Sequence, residues 1–167
     1  YNPNIHPLIE FRRRVKALRV FLEAEPMPAR IDETYGLEPF LRRVRPLEPG
    51  RCERCYEMRI EKAAQVAAAE RFDAFSSTLL GSRHQDHDAL RRFGEEQAAR
   101  AGVSFLYLDF RPALERGHEI ARRRQIYRQA YCGCVFSEFE RYRDTSKELY
   151  RGPGGPPAGG DEPGGRD

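Results

Sequence analysis

The chain has 167 residues, of which 40% are hydrophobic and 33% are charged, and its formal net charge is +3. This length is typical of one domain with its own core. No apolar run approaches the ~20 residues that a membrane-spanning helix needs, and no signal-peptide pattern is present. The sequence therefore argues against a membrane protein. It predicts a cytoplasmic protein, in which a framework of structural disulfides is not expected.

The basic residues are nearly all arginine, because the lysines are limited to Lys16, Lys62 and Lys147. Arginine suits phosphate because its planar fork of donors binds two oxygens at once. A GC-rich gene produces the same bias, so the charge alone supports nucleic-acid binding only weakly.

The first part of the chain predicts a turn followed by an amphipathic helix. Residues 1–4 (Tyr-Asn-Pro-Asn) are typical of the end of a strand and its turn, so we expect a first strand to precede Tyr1. A helix is predicted next, because apolar residues recur at helical spacing: Leu8, Phe11, Val15, Leu18 and Leu22. Its opposite face is basic and is expected to contact solvent or phosphate: Arg12, Arg13, Arg14, Lys16 and Arg19.

The next segments predict two more helices. Residues 29–31 suggest a short strand, 37–44 a short helix, and 46–50 a rigid loop rich in Pro and Gly. A longer helix is predicted from Cys52 to Glu70. Because a helix N-terminus favours anionic sulfur, we expect the thiols of Cys52 and Cys55 to have lowered pKa values.

Strands and helices then alternate, which predicts an α/β protein with a parallel sheet. Phe72–Leu80 and Val103–Leu108 are the predicted strands, and Asp86–Ala101 is the helix between them, ended by Gly102. The expected fold is a parallel, Rossmann-like sheet with flanking helices, in which the first strand is missing. In such sheets the active site lies at the carboxyl ends of the strands.

Asp109 and Arg111 directly follow the second predicted strand. A carboxylate and a guanidinium at this edge of a sheet are candidates for substrate binding. A structural ion pair between the two side chains is the alternative.

The C-terminal part predicts a basic helix, a cysteine pair, a final helix and a tail. The basic helix spans Ile120 to Arg128 and carries Arg122, Arg123 and Arg124. The final helix runs from about Ser137 to Tyr150. Residues 151–167 are rich in Gly and Pro and predict a disordered tail. The domain is therefore expected to span residues 1–150.

Two tight pairs contain all four cysteines: Cys52 with Cys55, and Cys132 with Cys134. Thiolates at such spacing hold a metal or an iron–sulfur cluster, or close a redox disulfide. Burial as small apolar residues is the alternative. Four thiolates complete a tetrahedral zinc site or a cubane cluster, whereas a C-x-C pair with Gly133 between its thiols also suits a strained, easily reduced disulfide.

Five stretches resemble epoxyqueuosine reductases of the QueH type, in the same order, from Tyr1 to about Glu140. They are residues 1–7 (YNPNIHP), 51–59 (RCERCYEMR), 75–80 (FSSTLL), 109–111 (DFR) and 127–138 (YRQAYCGCVFSE). Five separate motifs make the resemblance specific, and the predicted tail lies outside it.

The resemblance implies an enzyme that reduces the epoxide of epoxyqueuosine to queuosine at the wobble position of tRNAs for Tyr, His, Asp and Asn. It implies a 4Fe-4S cluster, no cobalamin, and an electron donor that the sequence does not identify. By position, Cys52 and Cys55 are expected to be cluster ligands, and Cys132 and Cys134 a redox-active pair. An alternative within the family is that Cys132 or Cys134 also binds the cluster or an additional iron.

The net reaction needs two electrons, whereas a cluster delivers single electrons, so the Cys132/Cys134 dithiol is a candidate two-electron store. The basic stretches Arg12–Arg14 and Arg122–Arg124 are expected to hold tRNA phosphates.

One departure from the family pattern is important. The family begins with an apolar strand and a Cys-Cys-x-x-Cys stretch that this chain lacks. We therefore expect an N-terminally truncated domain without two of the four cluster ligands. A rival hypothesis is a zinc-stabilised RNA-binding module without catalysis, in which all four thiols are structural. A second rival is a tRNA thiolase on a similar α/β fold.

Overall fold

The structure is a computed structural model that describes residues 1–44 and 50–144. Within these residues the chain forms six α-helices, two strands and two 3-10 turns. The helices are α1 (Leu8–Ala24), α2 (Leu37–Val44), α3 (Arg51–Ala69), α4 (His87–Ala101), α5 (Leu114–Arg123) and α6 (Val135–Tyr142). The strands are β1 (Ala74–Phe75) and β2 (Ser104–Phe105), and the 3-10 turns cover Thr78–Gly81 and Arg111–Ala113. None of the helices described is long and apolar enough to cross a membrane.

The predicted α/β class is confirmed at a coarse level. β1 and β2 run parallel, with Ala74 opposite Ser104 and Phe75 opposite Phe105. Because parallel neighbours need a crossover, α4 lies between them in sequence. Both strands fall inside the predicted segments but are only two residues long. The described residues thus form a helix-rich protein with a small parallel sheet, which does not by itself establish a Rossmann-like fold.

The main core lies between α3, α4 and the two strands. Its buried members are Tyr56, Ile60, Ala64, Ala67, Phe75, Leu79, Leu80, Ala89, Leu90, Phe93 and Ala98. The predicted helices over Cys52–Glu70 and Asp86–Ala101 are confirmed to within one residue at each end, because both have strong local signals.

The ends of α4 are set by local chemistry, as predicted. The Asp86 carboxylate accepts a hydrogen bond from the Ala89 N–H at 3.0 Å, which satisfies one of the free donors of the first turn. Gly102 ends the helix with φ of 70°, a left-handed conformation that favours glycine. In the middle of α4, Gly94 lets the helix lie against the Phe105 ring, which an added Cβ would meet at 2.2 Å.

The predicted inner face of α1 is confirmed only in part. Phe11 is buried as expected, but Leu8 and Leu18 are exposed, and Glu10, which was not predicted to be buried, is buried. Arg14, expected on the outer basic face, is instead largely buried against Glu10. The reason lies in a tertiary contact. The C-terminal part of the chain packs on the side of α1 that carries Glu10 and Arg14, and it supplies polar partners to these residues.

The predicted boundaries of α5 are also wrong, since the helix spans Leu114–Arg123 rather than 120–128. Pro112 lies in the 3-10 turn that leads directly into α5, so helical geometry begins earlier than expected. Gln125, with φ of 52°, follows its end. The predicted strand at 29–31 is an irregular, largely exposed segment.

The last predicted helix begins at Val135, two residues earlier than expected, and ends at Tyr142. The predicted continuation of this helix to Tyr150, the predicted loop at 46–49 and the predicted tail at 151–167 lie outside the described residues.

Candidate active site

The structure brings the two cysteine pairs together. Cys55 of α3 and Cys134 at the start of α6 pack in one buried cluster with Phe40 and Val44 of α2. The other three cysteines all lie within electrostatic reach of Cys55, because each of them raises the pKa of the Cys55 thiol. The four cysteines are all free. Residues separated by about eighty positions in sequence thus form one thiol-rich site.

The first pair lies on the first turn of α3, as predicted. Gly50, in a left-handed conformation with φ of 86°, precedes the helix. Cys52 is exposed, whereas Cys55, one turn further on, is 7% exposed. This arrangement places one accessible and one buried thiol on the same side of the helix.

The expected lowering of the thiol pKa values is wrong for this pair. Although the residue is exposed, partial desolvation of its sulfur raises the pKa of Cys52, and the nearby Arg51 guanidinium opposes that rise only in part. Burial raises the pKa of Cys55 to about 12, against the opposing charge of Arg59. Desolvation of the sulfur outweighs the effect of the helix N-terminus, so both thiols favour the protonated form when no metal is bound.

Asn4 supplies a hydrogen-bond donor to the buried thiol. Its side-chain nitrogen Nδ2 donates to Cys55 Sγ at 2.7 Å, and the residue is only 2% exposed. The other side-chain atom, Oδ1, is buried and has no hydrogen-bond partner. The amide is therefore oriented with its donor, and not its acceptor, toward sulfur.

The second pair lies on a tight loop that glycine makes possible. Gly133 has φ of 141°, and an added Cβ would lie 3.0 Å from the Asn4 carbonyl oxygen. Cys134 caps α6, because its Sγ accepts a hydrogen bond from the Ser137 N–H at 3.3 Å. The Ser137 hydroxyl in turn donates to the Cys134 carbonyl oxygen at 2.8 Å. These contacts hold the C-x-C segment at the start of the helix.

Arg14 anchors the same loop from α1. Its guanidinium donates to the carbonyl oxygens of Cys132 and Tyr131, both at 3.0 Å. The Glu10 carboxylate pairs with the Arg14 Nε at 2.7 Å and also accepts from the Tyr127 hydroxyl at 2.5 Å. Arg14 is therefore engaged within the protein and is not available to a phosphate, unlike the expectation for Arg12–Arg14.

The N-terminal loop also holds the C-x-C loop in place, through hydrogen bonds of the His6 backbone. The His6 N–H donates to the Gly133 carbonyl oxygen at 2.7 Å, and the Tyr131 hydroxyl donates to the His6 carbonyl oxygen at 2.5 Å. The His6 ring is buried beside Tyr35 and Phe40, and neither ring nitrogen has a hydrogen-bond partner. Burial therefore lowers the pKa of His6 to about 4.

Cys132 has its own polar surroundings. Gln85, in the loop before α4, donates its side-chain N–H to Cys132 Sγ at 3.8 Å. Burial raises the pKa of Cys132, while the charge of Arg59 and the bond from Gln85 oppose that rise. Arg59, one turn after Cys55 on α3, is thus a positive charge shared by both cysteine pairs.

Asp109 and Arg111 form an exposed ion pair with each other. Arg111 Nη2 lies 2.7 Å from Asp109 Oδ2, and Arg111 Nε donates to Oδ1 at 2.9 Å. These bonds hold the pKa of Asp109 down at about 2. The side chains thus take the arrangement of the structural alternative, and a role in substrate binding stays a prediction.

From sequence, no role was assigned to three residues that contact or face the thiols, Asn4, Gln85 and Arg59, and a different role, phosphate contact, was predicted for Arg14. Asn4 lies in residues 1–7 and Arg59 in residues 51–59, two of the stretches that resemble the family. Their place in these stretches was the only hint in the sequence that they belong to the site. Gln85 and Arg14 carry no local signal, because their contacts join segments far apart in the chain.

A bound metal or cluster needs several ligands arranged around one point. In the described ranges, no group of three or more His, Cys, Asp or Glu side chains is arranged to hold a metal ion. This finding favours neither a zinc site closed by all four cysteines nor a cluster held by all four. Cys52 and Cys55 are soft sulfur ligands one turn apart, of the type that an iron–sulfur cluster uses, and Asn4 donates an N–H to the Cys55 sulfur.

Comparisons with known proteins give one consistent result. The family model described as epoxyqueuosine reductase QueH matches residues 1–140. An epoxyqueuosine reductase QueH of Dehalococcoides mccartyi is 36% identical over 142 residues, which cover 85% of this chain and 78% of that protein. The protein of that name from Thermotoga maritima is 34% identical over 161 residues, covering 90% and 83%. That of Haemophilus influenzae is 36% identical over 156 residues, covering 88% and 61%.

Proposed function

The chain belongs to the epoxyqueuosine reductase QueH family. We propose which of its residues take part in epoxyqueuosine reduction and what each one does. The chain is an oxidoreductase of queuosine biosynthesis that reduces epoxyqueuosine to queuosine, and its substrate is therefore a tRNA. One observation supports separate roles for the two cysteine pairs: these unlike pairs lie together in one site.

Cys52 and Cys55 are proposed to hold a 4Fe-4S cluster. The support is chemical: both are thiols on one turn of α3, and Asn4 donates an N–H to Cys55 Sγ. When bound, such a cluster supplies electrons one at a time. The role of α3 is to hold the two sulfurs rigidly, since Cys55 is packed against Phe40 and Val44.

Cys132 and Cys134 are proposed to be the redox-active dithiol. Gly133 separates them on a loop fixed by Arg14 and His6, so the two sulfurs are held near each other and near the first pair. Cys132 is partly exposed and Cys134 is buried, which suits an attacking and a resolving thiol. An alternative assignment, in which one of these thiols contacts the cluster or an additional iron, predicts iron loss on its replacement.

The reaction balances with these groups. The epoxide loses its oxygen as water and becomes an alkene, which consumes two electrons and two protons. Oxidation of the Cys132/Cys134 dithiol to a disulfide releases two electrons and two protons. Two deliveries from a one-electron donor, with two protons from solvent, then return the disulfide to the dithiol.

The tRNA backbone is proposed to contact the exposed arginines of α1 and α5. Arg12 and Arg13 lie on the solvent side of α1, and Arg122 is exposed near the end of α5. An ion pair between Arg124 and Glu25 brings the end of α5 beside the end of α1, which joins the two basic segments. Phosphate contacts of this kind supply most of the affinity for a nucleic acid and are weakened by salt.

The fold around this site is proposed to be a larger, Rossmann-like parallel sheet with flanking helices. The support is the βαβ unit formed by β1, α4 and β2, whose crossover follows the rule for parallel strands. Tyr107, which follows β2, contacts His87 of α4, so this edge lies near Gln85 and the second cysteine pair.

The activity is tested by nucleoside analysis of tRNA. The chain, fused behind the apolar strand and Cys-Cys-x-x-Cys stretch with which the family pattern begins, is expressed in a bacterial strain that lacks its own epoxyqueuosine reductase. The tRNA of that strain is digested and analysed by mass spectrometry. We expect queuosine from the wild-type chain and accumulated epoxyqueuosine from the C132S and C134S variants, each with unchanged tRNA affinity. Queuosine formation at the wild-type level in either variant would refute the dithiol role.

A further inference from the structure

We propose that the groove between α1 and α5 binds an unstacked base of the substrate tRNA. The groove is separate from the cysteine site, and base binding there needs no metal, cluster or thiol. This assignment rests on the proposed function, in which the exposed arginines of the same two helices contact the tRNA backbone.

The groove is an apolar cavity of about 340 Å³ that opens to solvent. All the residues that line it are apolar or glycine, among them Leu18 and Phe21 of α1 and Gly117 and Ile120 of α5. Leu18 is 43% exposed and Ile120 is 37% exposed, so both leave apolar surface in contact with water. Pockets that bind organic ligands begin at about 300 Å³, so the cavity is large enough for one planar ring system.

The two helices that form the groove are strongly basic. Residues 8–24 contain five basic and two acidic residues, and residues 114–124 contain four basic and two acidic residues. These two segments together carry more positive charge than the net +3 of the whole chain. In the described part of the chain, no acidic side chain pairs with Arg13, Lys16 or Arg122. The charge of the two helices therefore favours an anionic partner.

One end of the groove lies close to the cysteine site. Ala17 lines the groove one helical turn, about 5 Å, after Arg14, and the Arg14 guanidinium donates to the Cys132 carbonyl oxygen at 3.0 Å. Ile126, which also lines the groove, precedes Cys132 on the segment that joins α5 to the second cysteine pair. A tRNA with its modified nucleotide at the cysteines therefore places a neighbouring nucleotide at the groove.

A base with an uncovered face is expected next to the modified nucleotide. The wobble position lies in a single-stranded loop, and an enzyme that acts on a base draws that base out of the stack. The neighbouring base then loses a stacking partner, which apolar and aromatic side chains replace. Phe21 supplies an aromatic ring, and Leu18 and Ile120 supply aliphatic surface. Because the lining is apolar, the groove holds the flat face of a base and does not select its identity.

The length of the groove argues against a helix of a protein partner. Ala17 and Phe21 lie four residues apart, which is about 6 Å along the axis of α1. An amphipathic helix binds through anchors at i, i+4 and i+7, which span about 10 Å. The ion pair between Glu25, one turn after Phe21, and Arg124 borders the far end of the groove. The groove thus fits one ring system better than a row of side chains.

The test fills the groove with a leucine in G117L. A Cβ at Gly117 meets nothing within 4 Å, and leucine favours a helix over glycine, so the variant is expected to fold. Q65L is the matched control, because it adds a leucine at an exposed position of α3 and also leaves the charge unchanged. R122Q removes one charge from α5 and leaves the groove open.

The protein, extended as for the nucleoside analysis, is titrated with the anticodon stem-loop of a tRNA for Tyr, and fluorescence anisotropy measures the affinity at several salt concentrations. We expect G117L to bind about tenfold more weakly than the wild type, since stacking of one base contributes a factor of this order. Its salt dependence should match the wild type, because the phosphate contacts remain. R122Q should instead reduce the salt slope by about one, and Q65L should change neither quantity.

Cross-linking of the wild type locates the base directly and does not depend on the folding of G117L. The uridines of the loop are replaced one at a time by 4-thiouridine, the complex is irradiated, and the cross-linked peptide is identified by mass spectrometry. Cross-links to residues 17–21 or 117–126 support the base site. Cross-links confined to other segments overturn it.

The failures of the base site and of the proposed function are distinguishable. Equal affinity of G117L and the wild type for the stem-loop overturns the base site, while queuosine formation by the wild type leaves the proposed function standing. Wild-type RNA affinity combined with loss of queuosine formation in G117L assigns the groove to a protein partner instead. A wild-type dimer that G117L converts to a monomer assigns it to a second copy of the chain. A wild type that neither binds the stem-loop nor forms queuosine refutes the proposed function itself.

Discussion

The guanidinium of Arg14 donates a hydrogen bond to the carbonyl oxygen of Cys132 at 3.0 Å, although 118 positions separate the two residues. This contact joins the first helix to the loop that carries the second cysteine pair. Glu10 completes the arrangement by pairing with Arg14 at 2.7 Å. The position of the loop that carries Cys132 and Cys134 therefore depends on a largely buried charge pair in α1.

Replacement of Arg14 is expected to destabilise the protein strongly. In R14M, Glu10 stays buried without its partner, and loss of one member of a buried pair costs about 3 kcal/mol or more. Urea unfolding measures this change in the free energy of unfolding. R12M is the matched control, because Arg12 is exposed on the same helix, and its effect should stay within about 0.5 kcal/mol. Equal stability of R14M and R12M contradicts the anchoring role.

The two thiols of α3 are expected to differ in reactivity. Cys52 is exposed, whereas Cys55 is buried and burial raises its pKa to about 12. In the metal-free chain at about pH 8, iodoacetamide should therefore label Cys52 at least about tenfold faster than Cys55. Peptide mass spectrometry over a time course measures both rates. Equal labelling of the two sites in folded protein refutes the arrangement.

The buried His6 is expected to make the metal-free chain acid-sensitive. The pKa of His6 is lowered from 6.5 to about 4, so the unfolded chain binds this proton more readily than the folded one. Stability is thus present above about pH 6.5 and is lost as the pH falls through 4. The full shift corresponds to about 3 kcal/mol.

The measurement is urea unfolding at several pH values between 4 and 7. In H6L the loss of stability over this range should be smaller than in the wild type by about that amount. H84L is the matched control, since His84 is exposed, and its profile should follow the wild type. An H6L profile parallel to the wild type contradicts the burial of a neutral His6.

Two glycines inside helices are expected to respond oppositely to alanine. A Cβ at Gly94 would lie 2.2 Å from the Phe105 ring, so G94A should force α4 away from β2 and cost about 1–3 kcal/mol. A Cβ at Gly117 of α5 meets nothing within 4 Å, so G117A should stabilise by about 0.5–1 kcal/mol. Thermal or urea unfolding measures both. Destabilisation by G117A, or tolerance of G94A, is inconsistent with this packing.

The sequence predicted the parts of the fold that local signals control. α3 and α4 have long helical patterns, and Asp86 and Gly102 mark the ends of α4, so their bounds were correct. The buried face of α1 was predictable at Phe11 but not at Glu10 and Arg14. A charged residue such as Arg14 is expected to be exposed to solvent. It is largely buried here because the distant residues 129–132 pack on it and accept its hydrogen bonds.

The candidate site was predictable in its cysteines but not in their environment. Four cysteines in two pairs, within family-like motifs, identified the sulfur atoms that meet in the structure. The pKa values were expected to be lowered, because a helix N-terminus is visible in sequence and burial is not. The donors Asn4 and Gln85 were missed for the same reason: a contact across 51 or 47 positions leaves no local pattern.

Cys52 and Cys55 are proposed to bind a cluster, and Cys132 and Cys134 to act as a dithiol. Iron analysis distinguishes these two roles. The wild-type protein, extended as for the nucleoside analysis, and its single serine variants at all four cysteines are reconstituted anaerobically, and iron and sulfide per chain are measured. C132S and C134S should keep the iron and sulfide content of the wild type, whereas C52S and C55S should lose most of it. Loss of iron from all four variants alike, or loss confined to C132S and C134S, would contradict these roles.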